Sequence, residues 1–236
     1  MSVTKVKKAL QQYASPERAK SNAWFFKTGK GQYGEGDEFI GVTVPHVRKV
    51  ATLFSNLSYS ELEKLLSSKK HEHRLTALLI LVHRYTKAEA REQKEIVRFY
   101  LSHLDCINNW DLVDLSAPKI LGAHYYKYGG EEKLTHLAKQ NNLWKKRIGI
   151  VATYAFIREG RYELTLQISK MLLSDQEDLL HKAVGWMLRE VGKKDSRVLK
   201  VFLAEHYSEI PRTTLRYAIE RFPEIERKKW LKKDIR

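Results

Sequence analysis

Four stretches of this chain repeat one another at nearly constant spacing: Arg74-Leu-Thr-Ala-Leu-Leu, Asp111-Leu-Val-Asp-Leu-Ser, Arg147-Ile-Gly-Ile-Val-Ala and Lys182-Ala-Val-Gly-Trp-Met begin 37, 36 and 35 residues apart. Apolar residues recur throughout at three- and four-residue spacing, as in Leu62, Leu65, Leu66 and again in Leu164, Ile168, Met171, Leu172, while alternating strand-like runs are almost absent. A period of this size holds two short helices and their turns. One such pair cannot bury its apolar face without stacked neighbours, so the repeat predicts an all-α, HEAT-like helical-repeat solenoid. The tetratricopeptide consensus is absent, which sets that other two-helix repeat aside. A stack of this kind curves, and its concave face gathers equivalent positions from successive units, a surface suited to a long ligand such as a duplex.

Caps and breakers at Ser15-Pro16, Thr43 ahead of Pro45, Ser58 to Ser60, Asn108-Asn109, Gly129-Gly130, Asn141-Asn142, Ser174 and Pro211 divide the chain into about a dozen short helices. One segment lacks helical periodicity, Thr28 to Val42, whose glycines predict a loop between the second and third helices, ordered or mobile. The alternative for it is an insertion without a role. No Pro/Gly/Ser-rich linker divides the sequence, so all 236 residues are expected to form a single domain.

Lys and Arg number 43 against 28 Asp and Glu, a net charge of +15 spread along most of the chain. With the repeat, this predicts a basic concave face and a polyanionic partner; a basic surface that merely keeps the protein in solution is the plain alternative. The lone cysteine, Cys106, excludes an internal disulfide, and the opening MSVTKVKKALQQY lacks the apolar core of a secretory signal, so a cytoplasmic protein is expected. The longest apolar stretch, Leu75 to His83, falls well short of the roughly 18 residues a membrane span requires. HExxH, CxxC, Walker and GxGxxG motifs are all missing, so neither a metal nor a nucleotide cofactor is expected, and His71 and His73 are read as polar surface.

Three segments carry candidate chemistry. In Asn108-Asn109-Trp110-Asp111-Leu112-Val113-Asp114, Asn109 is the expected N-cap, and Trp110 and Asp114 fall four residues apart on one helix face. Asp111 lies in the first turn, where a carboxylate meets the helix dipole favourably, and is assigned that structural role. Asp114 lies beyond that turn between apolar neighbours, where it is a reactive carboxylate or a core hydrogen-bond anchor. In Leu179 to Val191, Gly185 costs helix stability but permits close approach of a backbone or ligand beside Trp186, which lines a cleft or packs in the core. Trp144-Lys145-Lys146-Arg147 opens the helix of the intervening repeat, and the planar guanidinium of Arg147 matches phosphate oxygens; an ordinary surface arginine is the alternative.

The NWDLVD run, the WKKR opening and the KAVGWMLREVGK run together resemble the AlkD-type bacterial DNA alkylation repair glycosylases, and the resemblance extends from ASPERAKSNAWFFK to the last helices. It implies a HEAT-like solenoid that binds double-stranded DNA containing alkylated bases and, in base excision repair, removes positively charged ones such as 3-methyladenine and 7-methylguanine. Transferred residue by residue, it implies Asp114 as the catalytic carboxylate, Trp110 and Trp186 as cleft tryptophans, and Arg147 at a phosphate; Lys145 and Lys146 beside it in the basic cluster are expected to add to the phosphate contacts. Phe25 matches another aromatic near the lesion, with Trp24 and Phe26 as competing alignments. Asn109 stands where some members carry a further tryptophan, and the Thr28 to Val42 loop is longer than in compact members. The expected protein is a monomeric, monofunctional glycosylase without cofactor, acting at the nucleoid. Its rivals are a non-catalytic HEAT-like DNA-binding or scaffold protein and a peptide-binding solenoid.

Overall fold

A computed structural model describes residues 1–232 of the chain; of the basic C-terminal run Arg227 to Lys233, the last lysine lies outside the described residues. The described residues form sixteen α-helices and no β-sheet; the all-α class is as the periodicity predicts, but the helices outnumber the dozen that caps and breakers mark, because several, such as α6 and α12, start without a side-chain cap. They fall into two compact units, Met1–Ile120 and Leu121–Arg236.

The first unit contains α1 (Val3–Gln11), α2 (Pro16–Phe25), α3 (Val44–Leu53), α4 (Tyr59–Leu66), α5 (His71–Lys87), α6 (Ala90–Ser102) and α7 (Trp110–Ala117). In it α5 is the central element, packed against α3, α4, α6 and α7. This is why α5 is buried almost all round, from His71 through Val82. The second unit contains α8 (Ala123–Tyr128), α9 (Glu132–Ala138), α10 (Leu143–Ala152), α11 (Tyr154–Arg158), α12 (Glu163–Leu172), α13 (Asp178–Lys194), α14 (Ser196–Glu205), α15 (Arg212–Ala218) and α16 (Glu224–Lys232). Here α9 packs on α10, α12 on α13, α10 on α13 and α13 on α15, the pairwise stacking of a helical repeat. The four repeated stretches open α5, α7, α10 and α13, with Arg74, Asp111, Arg147 and Lys182 each within the first five helical residues.

Helix starts follow the sequence signals. Ser15 caps α2 through the Arg18 amide with Pro16 in the first turn, Asn109 caps α7 through the Trp110 amide, and Asn142 caps α10 through the amides of Trp144 and Lys145. Past α7 the helix changes character: Pro118 has no N–H to give the Asp114 carbonyl four residues back, and Pro118–Gly122 forms a π-helical turn.

The non-helical segment is tied to α5 rather than adrift. Lys27 takes a left-handed conformation (φ 56°) and turns the chain out of α2, with the Thr28 amide reaching back to the Ala23 carbonyl at 3.2 Å. Farther on, the Glu72 carboxylate accepts the amides of Ile40, Gly41 and Val42 at 3.0, 2.8 and 3.2 Å. Gly41 (φ 80°) is required there, because a Cβ would stand 2.1 Å from the Ser15 carbonyl oxygen.

Candidate nucleic-acid site

In the first unit the candidate residues meet at the start of α7. Trp110 is half-buried; Phe26 stacks on it at 5.1 Å between centroids and 15° between planes, and Phe25 meets it edge-on at 6.0 Å. Phe25 remains 55 % exposed and Trp24 74 % exposed, so the end of α2 presents aromatic surface to solvent beside Trp110. Of the competing aromatics, Phe25 meets Trp110 edge-on and Phe26 makes the stacked contact. Asp114, half-buried, follows one turn along α7. Burial pushes the Tyr100 phenol well above its usual pKa, its bond to Ser116 opposes this, and the Asp114 charge adds to the rise. Asp114 thus acts on a buried phenol from α6 whose hydroxyl lies 2.8 Å from Ser116 Oγ.

Beneath this aromatic shelf lies a charge cluster that sequence reasoning missed. His71, only 2 % exposed, sets Nδ1 3.1 Å from Asp37 Oδ2 and Nε2 2.8 Å from Asp111 Oδ2. Arg74 Nη2 donates to Asp37 Oδ1 at 2.6 Å, and Asn109 Nδ2 donates to Asp37 Oδ2 at 3.1 Å. Burial alone would lower the His71 pKa, but the charge and hydrogen bond of Asp111 and the bond to Asp37 raise it to about 9. Burial raises that of Asp37, and this is outweighed by the bonds from His71 and Asn109 and the charge of Arg74, which hold the carboxyl below its ordinary value. His73, also buried, goes the other way: burial and the charges of Lys7, Lys70 and Arg74 lower it to about 4. The expectation of two surface histidines is thereby corrected. Both lie on α5, which neighbouring helices bury almost all round, and the second-turn leucines hinted at that burial. Asp37 gave no such hint, since its partners are distant in sequence and its loop has no periodicity.

In the second unit Trp186 is half-buried on α13 with Tyr154 of α11 at 6.3 Å between ring centroids. Gly185 beside it serves close helix packing: a Cβ there would lie 2.5 Å from Tyr217 Cβ and 2.6 Å from the Thr214 carbonyl oxygen of α15. Arg147 is 5 % exposed, and its Nη1 donates to the Leu179 carbonyl at 2.6 Å. Lys146 Nζ pairs with Asp175 at 2.5 Å, while Lys145 is half-buried in the first turn of α10. Burial raises the pKa of Asp175, but the Lys146 bond and the Glu177 amide outweigh this and hold the carboxyl below its usual value.

Among the described residues no three His, Cys, Asp or Glu side chains are grouped to hold a metal ion, and no helix is long and apolar enough to cross a membrane.

Stacked helix pairs carrying aromatic and cationic residues at their starts place the chain in the class of helical-repeat proteins. A family model described as DNA alkylation repair enzyme matches residues 6–222, and the chain belongs to that family. Among solved structures it is similar to a predicted DNA alkylation repair enzyme from Enterococcus faecalis, at 15 % identity and a TM-score of 0.69, covering 89 % of this chain and 97 % of that one. It is also similar to AlkD2 from Streptococcus mutans, at 17 % identity and a TM-score of 0.55, covering 94 % and 97 %. The smu.31 protein of Streptococcus mutans UA159 matches at 18 % identity and a TM-score of 0.51, covering 94 % and 99 %. No curated protein matches the sequence.

Proposed function

We propose that this repair enzyme is a monofunctional DNA glycosylase that hydrolyses the N-glycosidic bond of positively charged alkylpurines, of the 3-methyladenine and 7-methylguanine type, in duplex DNA. The observation that carries the reading is Asp114 one turn beyond Trp110 on α7, half-buried, with an exposed aromatic edge at Phe25 beside the tryptophan. In this reading the chain acts as a single domain and a monomer, in the cytoplasm, on duplex DNA.

An N3- or N7-alkylated purine already carries positive charge and leaves without protonation, so one carboxylate suffices. As the bond lengthens the sugar takes on oxocarbenium character; Asp114 stabilises that charge and orients a water toward the anomeric carbon. At about 4 Å and an effective dielectric near 20 such a pair is worth roughly 4 kcal/mol, about a thousandfold in rate if felt only in the transition state. Trp110, on the same face of α7, attracts the cationic nucleotide through its ring. Arg147 and Lys145 hold phosphates, and Lys146 does so after exchanging Asp175 for a phosphate.

One observation favours the rival non-catalytic DNA-binding scaffold: Arg147 is nearly buried on a backbone carbonyl, as a structural arginine would be. Base release from duplex DNA containing 7-methylguanine, followed by chemical cleavage at abasic sites, separates the two. Release by wild type and not by a folded Asp114→Asn variant is the expected result. Equal release by both removes Asp114 from the mechanism, and salt-sensitive binding without release by either selects the scaffold.

A further inference from the structure

The Asp37–His71–Asp111 cluster has a stereochemical requirement. Both ring nitrogens of His71 face carboxylate oxygens, at 3.1 and 2.8 Å, and a carboxylate in an ion pair only accepts. A neutral imidazole has one N–H, so both contacts are hydrogen bonds only when the ring is an imidazolium. The groups facing it are Asp37 from the 28–42 loop, Asp111 from α7 and, on its own helix, Arg74. Two carboxylates against two cations make the buried cluster neutral overall, an arrangement that loses its balance when the His71 proton leaves. The ring is also the base of an aromatic column: Phe39 stacks on it at 4.6 Å, Phe26 lies at 5.1 Å, and Phe26 stacks in turn on Trp110. No substrate group reaches a side chain this buried, so His71 acts through its neighbours.

We propose that His71 is a positioning residue for the lesion-facing shelf, its imidazolium fastening the 28–42 loop to the first turn of α7 and so setting the placement of Trp110 and, one turn on, Asp114. The kinetic consequence rests on the glycosylase reading; the structural consequence rests on the cluster alone. When the ring loses a proton, one nitrogen lone pair faces a carboxylate. Asp37 retains Arg74 and Asn109 in that event, whereas Asp111 retains, of the contacts described, the Leu112 amide at 2.8 Å. The remaining N–H therefore goes to Asp111, and the loop side of the clamp opens.

Three measurements on the full chain test this. Nitrogen-15 spectra of the wild-type histidines at pH 8 should show one ring protonated on both nitrogens, and that signal should vanish in His71→Gln; a neutral His71 ring at pH 8 overturns the proposal without any variant having to fold. Amide hydrogen exchange should quicken in His71→Gln over Ile40 to Val42 and the first turn of α7, and stay unchanged in α13; unchanged exchange at both places overturns it. Single-turnover base release should fall about a hundredfold in His71→Gln, the scale of a misplacement near 1 Å, with affinity for undamaged duplex altered less than about threefold. Wild-type release should decline as pH rises past about 9. The variant should lack that alkaline limb, whereas release and pH profile identical to wild type would overturn the positioning role. If wild type releases no base, the glycosylase reading fails by itself, and the nitrogen and exchange results still decide the clamp.

Discussion

Two histidines in the first turn of α5 should give this protein a stability maximum near pH 6.5. His71 is raised in the folded protein to about 9 from 6.5, so its contribution is fully present below pH 6.5 and is lost as pH rises through 9. His73 is lowered to about 4, so its contribution is fully present above pH 6.5 and is lost as pH falls through 4. A tenfold difference in proton affinity between folded and unfolded chains corresponds to about 1.4 kcal/mol, which gives the nearly inaccessible His71 about 3 kcal/mol across the alkaline limb. His73 keeps some solvent contact and is assigned about 2 kcal/mol across the acid limb. Urea unfolding at half-unit intervals from pH 4 to pH 9.5 measures both. Asp37, held below its usual value, adds its own loss at the acid end, so the single variants must separate the limbs. His71→Gln should flatten the alkaline side and leave the acid side in place; His73→Gln should do the reverse. If each variant loses stability equally at every pH, the wild-type slopes come from other groups and the reasoning is refuted.

Three further outcomes are expected. Gly185→Ala should destabilise the protein by about 1–3 kcal/mol in thermal or urea unfolding, since the added methyl meets Tyr217 Cβ at 2.5 Å; a neutral result would mean α13 and α15 are not in close contact. Glu72→Ala removes the acceptor of three loop amides and should cost about 2 kcal/mol, with faster proteolysis within residues 28–42; equal cleavage in both proteins would show that the loop is held by other means. Duplex affinity should fall about a thousandfold for a fourfold rise in salt if about six phosphates are engaged, and a flat salt profile would argue against a phosphate-gripping surface.

Much of the fold was legible in the chain because its signals are local. Ser15, Asn109 and Asn142 cap the helices they precede, and the 35- to 37-residue recurrence places four helix starts before any contact is known. Trp110 and Asp114 share a face because four residues make about one helical turn. The repeat likewise implied stacked pairs, which each unit contains.

What the chain did not display depends on contacts far apart in sequence. His71 meets Asp37 across 34 positions and Asp111 across 40, through a loop with no periodicity to mark which of its carboxylates turns inward. Lys146 reads as a free cation beside Arg147 until the fold brings Asp175 to it from 29 residues on. Helix periodicity fixes which residues share a face; the partners that neighbouring elements bring decide whether an enclosed histidine is held charged, as His71 is, or neutral, as His73 is. The sequence by itself thus determined the helical repeat, the capped helix starts and the Trp110–Asp114 face. The tertiary structure alone decided the His71 charge state and the anchoring of the 28–42 loop, because the free energy of a buried charge is set by partners that only packing assembles.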